Sequence, residues 1–213
     1  MKIKGFKDTI KWYDKNAKYY AKATLSDNAT DQINEFLSNI PKGGKILDAG
    51  CGGGRDTNIF AEEGYNAVGI DISSGLLKEA KSRYPHIKFI KGDFLDLPFS
   101  NNTFAGVWAH ASLVHLETVD DVEKALSEFR RVLKQGGTIH ILVKAQKGKD
   151  KTAVVTDKLS KHNRFFQYFT KREIEGLLTK QEFRIIKMDQ YKETDTNPKG
   201  RSEVEWILAL AKK

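Results

Sequence analysis

An α/β fold, doubly wound around a mainly parallel seven-stranded sheet with helices on both faces, is what this sequence predicts. Three observations carry that expectation. Short apolar runs alternate with amphipathic stretches from Lys45 to Val143, the pattern of parallel strands joined by crossover helices. A glycine cluster closes the first apolar run. The last two strand-like runs have no helical stretch between them, which predicts an antiparallel C-terminal strand.

The elements follow in order. Residues 1–40 predict a helical cap. Asp8 to Ala23 interleaves Trp12, Tyr13, Tyr19 and Tyr20 with lysines. Asp31 to Asn39 sets Ile33, Phe36 and Leu37, with Ile40 beyond, on one helix face, and Pro41 with Gly43-Gly44 ends it. Lys45–Ala49 is a buried strand, Arg55–Glu63 a helix stopped by Gly64, and Asn66–Asp71 a second strand. Ser74–Tyr84 is a helix stopped by Pro85, Ile87–Ile90 a third strand and Phe104–Ala109 a fourth. Asp120–Lys134 carries Val122, Ala125, Leu126, Phe129 and Leu133 on one face and is closed by Gly136-Gly137 before the strand Thr138–Val143. Residues 146–169 form an insertion on the substrate side. A helix over Thr170–Leu178 opens with a capping box, Thr170 to Glu173. Arg184–Tyr191 and Glu203–Ala211 then pair as a hairpin at the sheet edge, around Asn197, Pro198 and Gly200.

Composition bounds the function. The 213 residues suit one α/β domain over 1–213, and 39% apolar content supports a core. No run approaches the length of a membrane span. The basic start has no apolar h-region, so no secretory signal is expected. Cys51 is the only cysteine, so no internal disulfide and no multi-cysteine metal site is available; no metal site and a cytoplasmic location are expected. The net charge of +8 is spread along the chain, as a solvated lysine-rich surface would be. One stretch stands out. Lys144, Lys147, Lys149, Lys151, Lys158, Lys161, Arg164, Lys171 and Arg172 face only Asp150 and Asp157 in sequence. Within it Arg164-Phe165-Phe166-Gln167-Tyr168-Phe169 could stack on RNA or form a hydrophobic seam. The seam and a small-molecule substrate are the preferred readings.

The chemistry begins at Gly50-Cys51-Gly52-Gly53-Gly54, four glycines in five residues between a strand and a helix. Glycine permits positive φ and close approach of a ligand, and the helix start offers free N–H groups. Asp71 ends the second strand, where a carboxylate can accept two ribose hydroxyls. Asp93 ends the third, in Gly92-Asp93-Phe94. The loop and Asp71 would also serve an NAD(P)-binding Rossmann oxidoreductase. Against that, Asp48 lies two residues before the first glycine, and Pro85 splits Tyr84 from Lys88, the one Tyr-x-x-x-Lys pair.

The run Asp48-x-Gly50-x-Gly52-x-Gly54, with Asp71 and Gly92-Asp93-Phe94, resembles the class I S-adenosylmethionine-dependent methyltransferase superfamily over about Lys45 to Val143. The resemblance implies S-adenosylmethionine as cofactor. It implies that Asp48 and the glycines, with Cys51, surround the methionine part. Asp71, with Ile72 beside it, would hold the ribose, and Asp93 with Phe94 the adenine. A narrower likeness, to small bacterial methyltransferases of unassigned substrate, covers Gly50 to Asp56 and Val107 to His115. It implies that Arg55 meets the cofactor carboxylate and that Trp108 to Ala111, including Ala109, flank the methyl group. Weaker substrate candidates are His115, Tyr20 and Arg164, and Tyr13, Tyr19 and Tyr20 either form a lid or simply pack the first helix. His110 is read as structural. No Asn-Pro-Pro-Tyr run is present. A non-catalytic binding protein of the same fold stays open.

Overall fold

The computed structural model describes residues 5–26, 29–156, 163–196, 201 and 203–213. The central sheet is built from β1 (Lys45–Ala49), β2 (Asn66–Asp71), β3 (Lys88–Lys91), β4 (Phe104–His110), β5 (Leu133–Lys144), β8 (Arg184–Lys192) and β9 (Glu205–Lys212). Its order is β3-β2-β1-β4-β5-β9-β8. The first five strands pair in parallel, and β9 pairs antiparallel with both β5 and β8. The chain thus winds outward from β1 to β3 and then returns to lay β4 beside β1. That reversal is the switch point at which the loops after β1 and β4 part and leave a crevice.

The buried strands feed two cores by alternation of side chains across the sheet. Leu47, Val68, Val107 and Ile139 face α5 (Val119–Val132) and α6 (Lys171–Lys180). Ile46, Ala67 and Trp108 face α2 (Thr30–Leu37) and α3 (Arg55–Glu62), against Ile33, Phe36 and Phe60. The capping box that opens α6 is formed in both directions, Thr170 accepting from the Glu173 N–H and Glu173 from the Thr170 N–H.

The first helix, α1 (Gly5–Ala23), reaches the larger core through Phe6 near its start. It lies on α4 (Ser74–Arg83), with Ala17 and Ala21 against Leu76. Asp14 Oδ1 accepts from Ser73 Oγ at 2.7 Å and from the Gly75 N–H at 2.8 Å. A side chain at Gly75 would stand 2.6 Å from the Asp14 carbonyl oxygen, so glycine is what lets the helices meet.

One expectation needs correction. Helix α5 ends at Val132 and β5 starts at once at Leu133. Gly136 and Gly137 lie inside β5, where pairing jumps from Phe104↔Leu133 to Gly106↔Thr138, and they bond to Lys213 instead of closing the helix. The hairpin of β8 and β9 stands at the sheet end as expected, with β8 at the edge and the final strand next to β5. The apolar run Ile207–Ala211 fills that inner position, whereas β8 alternates between half-buried and exposed residues. Within the insertion, β6 (Thr152–Thr156) and β7 (Asn163–Gln167) form a separate antiparallel pair. The turn residues Asn197, Pro198 and Gly200, and Asp157, Lys158 and Lys161 of the basic stretch, lie outside the described residues. A single helical turn, α7 (Glu193–Thr196), follows β8.

Candidate active site

A cavity of about 440 Å³ opens at the switch point, over the ends of β1, β2 and β4. One end is floored by the glycine loop. Gly50, Gly52 and Gly54 have φ of 82°, 53° and 81°, values that disfavour any side chain. A Cβ at Gly50 would meet the Ser112 Cβ at 2.4 Å, and one at Gly53 the Ala21 Cβ at 2.7 Å. A Cβ at Gly52 would instead project into open space, with only Leu76 Cδ1 at 4.0 Å. The loop thus presents bare backbone to the cavity.

Asp71 ties this loop to the second strand. Its Oδ2 accepts from the Gly52 N–H and its Oδ1 from the Ser73 N–H, both at 2.8 Å. Ser73, not Asp71, caps α4, accepting from the Leu76 N–H. Burial raises the Asp71 pKa, and the backbone N–H groups act against that rise. Ser112 Oγ, buried beside Gly50, has no hydrogen-bond partner among the described residues.

Beneath the loop lies a second layer of polar groups. Asp48 is 3% exposed and accepts from Thr57 Oγ1 at 2.6 Å. Burial, and then the neighbouring Asp56 carboxylate, raise its pKa to about 8. Asp56 accepts from Arg55 Nε at 2.6 Å and from Trp108 Nε1 at 2.9 Å. Arg55 also donates to the Thr24 carbonyl at 2.9 Å, which holds the end of α1 over the loop.

The other end of the cavity is walled by α1, the insertion and the end of β5. His115 lies just beyond β4. Its Nδ1 is 2.7 Å from the Phe165 carbonyl oxygen and its Nε2 2.9 Å from Tyr13 Oη. A carbonyl can only accept, so Nδ1 carries the proton and Tyr13 donates to Nε2. Burial lowers the His115 pKa to about 4, which keeps the ring neutral, and burial raises that of Tyr13. The Arg164 guanidinium sits 4.4 Å from the Trp12 ring centre. Thr9 Oγ1 accepts from the buried Phe165 N–H at 2.9 Å and donates to the Gly5 carbonyl at 2.7 Å, which fastens β7 to α1. Lys144, Tyr191, Glu193, Arg201 and Trp206 complete the wall.

Of the residues singled out from sequence, Gly50, Cys51, Gly52, Arg55, Asp71, Ile72 and Phe94 line the cavity. Tyr13, Tyr20, His115 and Arg164 line it as well. Asp48, Gly54, Asp93 and Ala109 are set behind that lining: Asp48 and Ala109 are buried, and Asp93 accepts from the Leu95 N–H at 2.9 Å. Tyr19 is 54% exposed and takes no part in a lid. His110 reaches the cavity but stacks on Trp108 and lies 3.2 Å from His140. The aromatic seam is a structural fact, with Phe165, Phe166 and Phe169 buried. Sequence reasoning missed Ser112, Thr9, Asp14, Gln32, Tyr191, Glu193, Arg201 and Trp206. Only the position of Ser112, just past the fourth strand, gave any signal.

Comparison with known proteins bears on this geometry. A family model described as a methyltransferase domain matches residues 47–141. The demethylmenaquinone methyltransferase of Renibacterium salmoninarum is 39% identical over 97 residues, 46% of this chain and 40% of that protein. The chain thus covers less than half the length of that relative. A protein of Encephalitozoon cuniculi named as a methyltransferase is 33% identical over 150 residues, 69% of this chain and 68% of that protein. In fold, the chain is similar to the Burkholderia thailandensis 1,6-didemethyltoxoflavin-N1-methyltransferase, solved with 1,6-didemethyltoxoflavin and S-adenosylhomocysteine bound. The TM-score is 0.74 at 18% identity, over 97% of this chain and 87% of that one.

Proposed function

The chain belongs to the class I S-adenosylmethionine-dependent methyltransferases, and from that premise we propose that it transfers a methyl group to a small molecule bound in the 440 Å³ cavity. The observation that carries this reading is the single cavity that runs from the glycine loop and Asp71 to a wall of aromatic and basic side chains. The residues fit the cofactor. The bare backbone at Gly52 leaves room for it, and Ser112 Oγ is a buried polar atom in want of a partner. When bound, S-adenosylmethionine supplies a methyl group already activated by the sulfonium, so the protein needs chiefly to align and shield the reactants.

In this reading Asp71 receives the ribose hydroxyls on the lone pairs that its two backbone bonds leave open. Gly50, Gly52 and Ser112 surround the amino-acid end, with Arg55 beside it and Asp48 stiffening the loop from below. Ile72 and Phe94 would flank the adenine, with Asp93 behind them. Helix α1 covers the crevice with Tyr13 and Tyr20 and keeps water out. A proton released by the acceptor would reach the Tyr13 hydroxyl first, with the neutral His115 behind it.

The basic stretch favours a small molecule over RNA. Lys147 pairs with Glu205, Lys151 with Glu173, and Lys171 with the Met188 carbonyl, while Lys144 and Arg164 face the cavity. The phenylalanines that could stack on bases are buried. Isothermal titration with S-adenosylhomocysteine tests the reading. Asp71→Ala should weaken binding about a hundredfold, the loss of two hydrogen bonds to a charged acceptor. Undiminished affinity in that variant would overturn the assignment.

A further inference from the structure

The end of the cavity away from the glycine loop holds a buried ammonium that no carboxylate contacts among the described residues. Lys144 ends β5 and lines the cavity, yet it is only 8% exposed. Its ammonium stands 3.7 Å from the Phe166 ring centre and 5.8 Å from that of Trp206. Among the described residues no carboxylate comes within 4.0 Å of it, and no hydrogen bond holds it. Aromatic faces offset only part of the cost of burying an ammonium.

The neighbours do not supply the missing charge. Arg164, 5.5 Å from the same Phe166 ring, adds a second cation. Glu193 is the carboxylate at this end of the lining, and it is committed elsewhere. It accepts from Arg201 Nη2 at 3.0 Å and from Trp206 Nε1 at 3.2 Å. Asp56 and Asp71 belong to the opposite end, where Arg55 and backbone N–H groups hold them. Phe166, Tyr191 and Trp206 wall the space around Lys144. Burial lowers the Lys144 pKa to about 8, helped by the Arg201 and Arg164 charges and opposed by the Glu193 carboxylate.

We propose that the methyl acceptor is a small aromatic anion, bearing a carboxylate or a phosphate that binds against Lys144 and Arg164. The proposal rests on the methyl-transfer reading and names the substrate class for the same site. An anion there gains a charge-assisted contact with two groups already held in place, and its ring gains a wall of aromatic side chains.

The test compares acids with their neutral amides in the presence of saturating S-adenosylhomocysteine. The pairs are 4-hydroxybenzoate with 4-hydroxybenzamide and indole-3-acetate with indole-3-acetamide; phenyl phosphate against phenol separates phosphate from carboxylate. At least one acid should bind about tenfold or more tightly than its neutral partner. Lys144→Met, which keeps the aliphatic stem against Phe166, should abolish that preference and leave S-adenosylhomocysteine affinity unchanged. If Lys144→Met fails to fold, Lys144→Gln takes its place, and the wild-type comparison decides by itself. The proposal is overturned if no acid outperforms its neutral partner, if the preference survives in the Lys144 variants, or if bulk tRNA binds and no acid does. Failure to bind S-adenosylhomocysteine would sink the methyl-transfer reading instead, so the two failures are distinguishable.

Discussion

Replacing His115 with glutamine probes the ring that joins the first helix to the inserted hairpin. The neutral ring donates through Nδ1 to the Phe165 carbonyl at 2.7 Å and accepts at Nε2 from Tyr13 at 2.9 Å. Burial lowers its pKa from 6.5 to about 4. As pH falls below 6.5 the unfolded chain therefore takes up a proton that the folded chain refuses until about pH 4. The stability that His115 contributes is complete above pH 6.5 and is lost as pH falls from 6.5 through 4, at about 1.4 kcal/mol per pH unit. Between about pH 7 and pH 4.5 the loss comes to about 2.5 kcal/mol. Glutamine has no such proton. At pH 7 the variant should be about 1–3 kcal/mol less stable, because a buried partner of His115 is left unsatisfied. At pH 4.5 the gap should close or reverse. Urea unfolding of both proteins at the two pH values, followed by circular dichroism, measures the gap. A gap that changes by less than about 0.5 kcal/mol between them refutes a buried neutral ring.

Two further outcomes follow from the same structure. Thr9→Val strands the buried Phe165 N–H, which now donates to Thr9 Oγ1 at 2.9 Å; it should cost about 1–3 kcal/mol in chemical denaturation and expose the end of β7 to faster amide exchange, and unchanged exchange there would contradict the role of Thr9. Asp48→Asn should fold normally at pH 7, because a carboxyl whose pKa is raised to about 8 is already neutral there. The folded wild type keeps this proton where the unfolded chain has lost it, so wild-type stability falls as pH rises from about 4 to 8, and the variant should gain on it across that window by up to about 1.4 kcal/mol per unit. Thermal melts across the window check it, and parallel curves would show Asp48 ionised in the fold.

The local signals were legible because they are local. Lys45–Ala49 and Asn66–Asp71 were bounded to the residue, since an apolar run between glycines or turns needs no distant partner to be a strand. The left-handed Gly50, Gly52 and Gly54, and the Thr170–Glu173 capping box, are likewise written in adjacent residues. So were the sheet's mainly parallel character and the C-terminal hairpin. What tertiary structure alone decided is everything that depends on where distant segments meet. Whether β9 lies inside or at the edge depends on which strand pairs with β5. The hairpin of β6 and β7 is held by Thr9, more than a hundred residues earlier. The far wall of the cavity joins Tyr13, His115, Lys144, Arg164 and Trp206 from five separate elements. A sequence shows the chemical type of each of these side chains, but burial and charge balance come from the set that the fold brings together. The glycine-loop end of the cavity is built from loops that follow single strands and could be read in the chain. The far end is built across the chain, so the burial of Lys144 among aromatic rings is decided only in the folded protein.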